Sequence, residues 1–253
     1  MRIVRLTVEY DGTDYHGWQR QPNGLSVQQV LEEAVARMIG PAAGPEGKPV
    51  AVVAAGRTDA GVHAAGQVCH LRTTSQVPLR AFVLGLNALL PPDVAVKDAA
   101  EAAPDFHARR SARGKRYRYT LHESPVRSPL HARTTWWVRG PLDRAAMRAA
   151  ALPLLGEHDF SAFRGQGCEA KTSVRIVRAI DLAEPEPGLL VWELRATAFL
   201  KHMVRNVIGT LVEAGRGKIA PTAVPGILES RDRRRAGPTA PPQGLCLMEV
   251  EYA

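Results

Sequence analysis

Segments whose apolar and polar side chains alternate with a two-residue period outnumber helical segments along this chain, and several links between them are too short for a crossover helix. Parallel neighbours need a crossover of a dozen residues or more, so these links dictate a mixed, largely antiparallel sheet with helices packed on one side, an α/β (α+β) class. The first strand shows the pattern: Val4, Leu6, Val8 and Tyr10 share one face, and Arg5, Thr7 and Glu9 share the other. Further strands are expected at 50–55, 67–73, after Pro91-Pro92, and at 115–122, 174–182, 189–197 and 245–252. Ser26 and Gln29 have capping-box spacing ahead of Val27, Val30, Leu31, Ala34, Val35 and Met38, and Gly40 stops that helix. Other helices are expected near Pro78, after Asp143, and over 201–214 with Val204, Val207, Ile208 and Leu211 facing inward. Glu184-Pro185-Glu186-Pro187-Gly188 reads as a hairpin turn, and 40–49, rich in Gly, Pro and Ala, as a surface loop.

With 253 residues the chain is long enough for one large domain or two small ones. The order of elements is similar in two α/β halves, 1–108 and 109–253, although no sequence repeat is visible. The three cysteines, Cys69, Cys168 and Cys246, are odd in number and far apart, which excludes a disulfide framework or a zinc knuckle and makes a reducing, cytoplasmic setting the expectation. No apolar run approaches the about 18 to 20 residues of a membrane span, and no signal peptide is expected. The formal charge of +8 fits either a polyanionic partner or a solvated basic surface, so its distribution matters more than its size.

Three stretches carry residues suited to chemistry. Gly56-Arg57-Thr58-Asp59-Ala60-Gly61-Val62-His63-Ala64 follows the 50–55 strand, so Asp59 sits at a strand end where its carboxylate can act as nucleophile or base and Arg57 can keep it ionised. Spacing alone favours the plainer reading, an aspartate that merely closes a turn through its own backbone. Arg109, Arg110, Arg113, Lys115, Arg116 and Arg118 place six cations in ten residues with no acid among them, running into Tyr117 and Tyr119. Such a stripe suits phosphates, and interleaved aromatics suit an unstacked base, although Tyr117, Tyr119 and Leu121 share one strand face and for Tyr119 and Leu121 a core position on a basic strand is the favoured reading. Arg205 lies between inward-facing neighbours of the 201–214 helix and needs an anion or a route to solvent, with Asp59 the obvious anion. Residues 231–235 form a further basic run, expected at a solvated helix end.

Other signatures fail. Residues 42–48 lack the first glycine of a phosphate loop, and Pro49 stands where a magnesium-holding Ser or Thr belongs. No two histidines have zinc-site helical spacing, and no Gly-x-Ser-x-Gly turn is present.

Glu9-Tyr10-Asp11-Gly12, Tyr15, Gly17-Trp18-Gln19-Arg20-Gln21, the 56–64 run, Asp105-Phe106-His107-Ala108-Arg109, Lys115-Arg116-Tyr117-Arg118-Tyr119, His202-Met203-Val204-Arg205-Asn206 and Gly244-Leu245-Cys246-Leu247 together resemble the TruA family of tRNA pseudouridine synthases over nearly the whole chain. The resemblance implies two α/β halves around a continuous mixed sheet with a central cleft, and a homodimer with no metal or organic cofactor. Its implied reaction converts uridine to pseudouridine at positions 38, 39 and 40 of the tRNA anticodon arm. It also implies roles: Asp59 as nucleophile, Tyr117 stacking on the target base, Arg57 assisting base flipping, Arg205 pairing with the aspartate, and Leu245 as an apolar contact near the base. Lys201 departs from the family's arginine, keeping charge but losing a fork of donors, and the 40–49 loop is a little long. Two rival classes remain: a non-catalytic RNA-binding module, and a two-carboxylate glycoside hydrolase, for which Asp93, Asp105 or Asp159 offers no convincing partner by position.

Overall fold

The computed structural model describes residues 1–253. The chain forms two compact units, Met1–Arg113 with Leu247–Ala253, and Gly114–Cys246. The sequence reading draws its division after residue 108 and assigns the last strand to the second half. The units instead meet in the chain between Arg113 and Gly114, and the chain's end packs with the first unit.

In the first unit, strands β1 (Arg2–Tyr10), β2 (Val52–Ala54), β3 (His63–Thr73) and β4 (Val94–Ala102) join helices α1 (Val27–Ile39) and α2 (Leu79–Leu89). The sheet runs β4-β1-β3 and continues to the last strand of the chain, Leu245–Glu251, with β2 also paired to β3. The pairings β1–β3, β1–β4 and β2–β3 are antiparallel. Val4, Leu6 and Val8 are buried, as their alternation requires. They line a core completed by Leu31 and Val35 of α1 and Phe82 and Leu86 of α2.

Half of the expected capping box exists. Ser26 Oγ accepts from the Gln29 N–H at 3.3 Å, but the Gln29 amide reaches along the helix to Glu33 instead of back to Ser26. The 40–49 loop is anchored at one point, where the Ala43 carbonyl accepts from the Thr74 N–H and the Thr73 hydroxyl.

In the second unit, β5 (Gly114–Glu123), β6 (Trp136–Val138), β7 (Gly156–Asp159), β8 (Val174–Glu186) and β9 (Leu189–Ala196) accompany α3 (Arg144–Ala151), α4 (Met203–Gly215) and α5 (Val224–Ser230). The order is β5-β9-β8-β7, antiparallel throughout, and the short β6 lies parallel to β5. The fold is therefore mixed α/β, with largely antiparallel sheet flanked by helices, as the short links require. The β8–β9 hairpin is tighter than the Pro-rich run implies: Glu186 pairs with Leu189, leaving Pro187 and Gly188 as the turn. Strands β6 and β7 escape the sequence reading, being too short to display a period, and α5 is foreshadowed only by the helix end expected at 231–235. The last strand, β10 (Leu245–Glu251), contributes its first two residues to the second unit and the rest to the first. No helix is long and apolar enough to cross a membrane.

Candidate active site

Asp59 occupies the connection between β2 and β3 in the first unit and is half-buried. Its carbonyl accepts from the Val62 N–H at 3.1 Å, so its backbone does close a turn, as the plainer reading of the sequence holds. That bond engages the main chain and not the carboxylate.

The segment carrying Asp59 is clasped by residues 10–19. Trp18 N–H donates to the Thr58 carbonyl at 3.1 Å and Gly61 N–H to the Tyr15 carbonyl at 3.3 Å, one bond on each side of Asp59. The Tyr10 and Thr58 hydroxyls share a buried 2.8 Å hydrogen bond. Gly12 N–H donates to His63 Nδ1, and the Asp11 carboxylate lies 3.1 Å from the same nitrogen. Gly17 has a φ of +86°, and a Cβ there would lie 2.6 Å from the Thr58 oxygen, so the approach requires glycine. Trp18 is buried against Tyr10 with ring centroids 5.9 Å apart, which fixes the clasp to the core. Tyr15 donates to Asp93 at 2.7 Å, and burial followed by that carboxylate pushes the phenol well above its ordinary range. Asp93 thus supports the clasp.

Arg57 is exposed, and its Nε donates to Gln19 Oε1 at 3.1 Å. The clasp therefore also orients the guanidinium two residues from Asp59. Beneath the loop, the fully buried Gln67 donates from its amide to the Gly56 carbonyl at 2.9 Å, while its Oε1 is buried without a hydrogen-bond partner. The supporting residues Tyr10, Asp11, Tyr15, Gly17 and Gln19 lie in motifs visible in the sequence, which carry no sign of what they touch.

The second unit holds Tyr117, Arg205 and Leu245. Tyr117, Tyr119 and Leu121 are buried along one face of β5. The Tyr117 ring meets Phe199 edge-on at 5.0 Å, while Tyr119 donates to the Pro241 carbonyl at 2.7 Å. Arg205 is half-buried in the first turn of α4; its Nε donates to the Ala240 carbonyl at 2.7 Å, and the Ala240 N–H returns to the Arg205 carbonyl. Leu245 is buried at the start of β10, directly after Gly244, whose missing Cβ leaves room for the Tyr119 ring. The loop ahead of β10 thus holds the arginine and delivers the leucine. Helix α4 starts from His202 in the left-handed region, φ 60°, whose ring lies against Gly165. Lys201 beside it is exposed.

The cationic stripe is less uniform than its sequence. Glu193 of β9 stands opposite Arg118 in the strand register and accepts from Arg118 at 2.7 Å and Arg116 at 3.2 Å. Arg118 holds that carboxyl below the usual carboxylate range. Arg116 and Arg118 are thus partly neutralised by an acid some 75 residues away in sequence. The 231–235 run is also not wholly solvated. Arg231 ends α5, and Arg233 turns inward to donate to Asn206 Oδ1 and the Thr239 hydroxyl.

A family model described as tRNA pseudouridine synthase matches residues 6–109 and 150–253. The protein named tRNA pseudouridine synthase A from Syntrophotalea carbinolica is 54% identical over 253 residues, covering 100% of this chain and 97% of that one. Its namesake in Myxococcus xanthus is 53% identical over 252 residues, with 100% and 92% coverage. That of Geotalea uraniireducens is 50% identical over 252 residues, with 100% coverage of both.

Proposed function

The chain belongs to the tRNA pseudouridine synthase family and is such an isomerase; on that premise we propose that it acts on uridines 38, 39 and 40 of the tRNA anticodon arm, with Asp59 as the catalytic group. The observation that carries the reading is the clasp on either side of Asp59, which fixes the backbone of a half-buried carboxylate within the Gly56-Arg57-Thr58-Asp59-Ala60-Gly61-Val62-His63 motif.

Conversion of uridine breaks the N1–C1′ bond, turns the detached uracil and joins C5 to C1′. A carboxylate serves by adding to the sugar carbon, or by removing the C2′ proton to give a glycal; attack on the uracil ring is a third route. The target must first leave its stack, which costs a few kcal/mol and least near a loop, as in the anticodon arm. Stacking on Tyr117 and phosphate contacts from nearby cations offset that cost. Arg57, oriented by Gln19, assists the flip; Arg205 pairs with the aspartate; Leu245 gives the base an apolar neighbour. The proposal includes a cytoplasmic location and a homodimer; sedimentation of the purified protein checks the homodimer, and a monomer at working concentration removes that part.

Asp59→Asn tests the assignment. Incubated with an unmodified tRNA transcript and followed by pseudouridine mapping, the variant makes no product while retaining tRNA affinity. Pseudouridine formed by the variant removes Asp59 from the chemistry. Free uracil released by the parent protein indicates a glycoside hydrolase instead.

A further inference from the structure

The first unit has an open pocket of about 520 Å³ whose lining includes none of the residues given a role in the proposed chemistry. Arg5, Arg110 and Arg113 line it together with two anionic groups, the Glu101 side chain and the α-carboxylate of Ala253. Asp98 is 4.0 Å from Arg5, at the limit of an ion pair and well exposed, so it offsets little of that charge. Phe106 and Tyr252 form an aromatic wall with ring centroids 5.2 Å apart. The Tyr252 hydroxyl is committed to the Ala108 carbonyl at 2.7 Å, so the ring is what this residue offers a ligand.

The cationic rim is held in place from below. His70 of β3 accepts from the Ala108 N–H at 3.2 Å, and His107 Nδ1 accepts from the N–H groups of Arg109 and Arg110 at 3.2 and 3.4 Å. Ser111, also lining the pocket, accepts from the His107 N–H at 3.1 Å through its hydroxyl oxygen, which leaves the hydroxyl proton available to an anion. Guanidinium groups beside an aromatic face, with a hydroxyl donor on a fixed backbone, suit a phosphodiester and its sugar or base better than an isolated small anion.

Position identifies the source of that phosphate. Arg5 is five residues from Tyr10 on β1, and Tyr10 is bonded to Thr58, the neighbour of Asp59. At a strand rise of ~3.4 Å the pocket is about 17 Å from that end of β1. An RNA strand leading away from the target uridine covers that distance within a few nucleotides.

We propose that this pocket is a second RNA-backbone site, in which Arg5 and Arg110 bind a phosphodiester of the substrate tRNA several nucleotides from the target uridine, with Phe106 and Tyr252 against the adjoining nucleotide. The site rests on tRNA being the substrate presented to Asp59. It anchors the RNA without taking part in the bond changes.

The test uses the full chain, an unmodified tRNA transcript and the variants Arg110→Ala, Arg5→Ala/Arg110→Ala and Arg110→Lys. Arg110→Ala weakens tRNA binding about three- to ten-fold and lowers the slope of log affinity against log salt by about 0.9. The double variant lowers it further, and Arg110→Lys restores most of the slope. In turnover KM rises while kcat at saturating tRNA is unchanged, which separates an anchor from damage to the catalytic loop. Unchanged affinity and slope in the double variant overturn the proposal. So does loss of binding to inorganic phosphate or uridine monophosphate with tRNA binding intact, because the pocket then serves a small anion. Absence of pseudouridine formation by the parent protein, with Arg110-dependent tRNA binding preserved, refutes the function assigned to Asp59 and leaves the RNA site standing.

Discussion

At Gly17, two independent constraints meet in one residue: a φ of +86°, and a Thr58 oxygen that would lie 2.6 Å from any added Cβ. Alanine removes chain entropy from the unfolded state, a gain of under about 1 kcal/mol, but left-handed strain and the clash each oppose it by about 1–3 kcal/mol. Gly17→Ala therefore destabilises the protein, with a fall in melting temperature of at least about 3 °C, and lowers kcat because the displaced atoms adjoin Asp59. Calorimetry and single-turnover assays check both, and parental values in each remove the argument that this approach fixes the loop. The motif around Asp59 is legible in the sequence because its residues are contiguous. Its supports are not: Tyr10 reaches Thr58 across 48 residues and Tyr15 reaches Asp93 across 78. The same holds for Glu193, whose pairing with Arg116 and Arg118 alters the cationic stripe from a strand that no window around the stripe contains.

Among the elements, α4 departs furthest from its sequence pattern. Val204, Val207, Ile208 and Leu211 suggest one inward face, yet Asn206, Gly209, Thr210 and Glu213 are buried as well. The cause is the segment between α5 and β10, which covers the other side. Thr210 accepts the Gly237 N–H at 2.9 Å, Asn206 Oδ1 accepts from Arg233 and Thr239, and a Cβ on Gly209 would lie 1.7 Å from the Pro238 oxygen. In an exposed helix, Gly→Ala adds about 1 kcal/mol of stability. Here overpacking costs about 1–3 kcal/mol or more, so the sign reverses. Gly209→Ala is expected to lower the urea midpoint by destabilising the protein about 2 kcal/mol. Because the covering segment also bonds Arg205 and leads into Leu245, tRNA affinity should fall with it. A more stable variant in urea titration refutes the welded arrangement. Element existence is readable wherever the apolar period is long, as in β1, β5 and α1; β6, β7 and α5 span three, four and seven residues and offer no such period.

For the molecule as a whole, stability depends on pH through His70, which burial and then the neighbouring His107 bring down to about 4 from its ordinary 6.5. As pH falls below 6.5 the unfolded chain takes up this proton before the folded one does. Stability is therefore lost progressively between pH 6.5 and about 4, and this contribution levels off below that, amounting to ~3 kcal/mol in all. Urea unfolding of the parent and of His70→Gln across this window measures it: the slope is shallower in the variant, and equal slopes refute the assignment. The sequence by itself determined the mixed, largely antiparallel class, the main helices and the identity of the aspartate motif, because periodicity, caps and contiguous motifs are local properties. Only the tertiary structure decided that the chain's end packs with the first unit, which acid tempers the cationic stripe, and what clasps the loop of Asp59. Those contacts join residues dozens to hundreds of positions apart, and no local pattern of hydrophobicity or charge specifies which distant partner a strand edge or a side chain will meet.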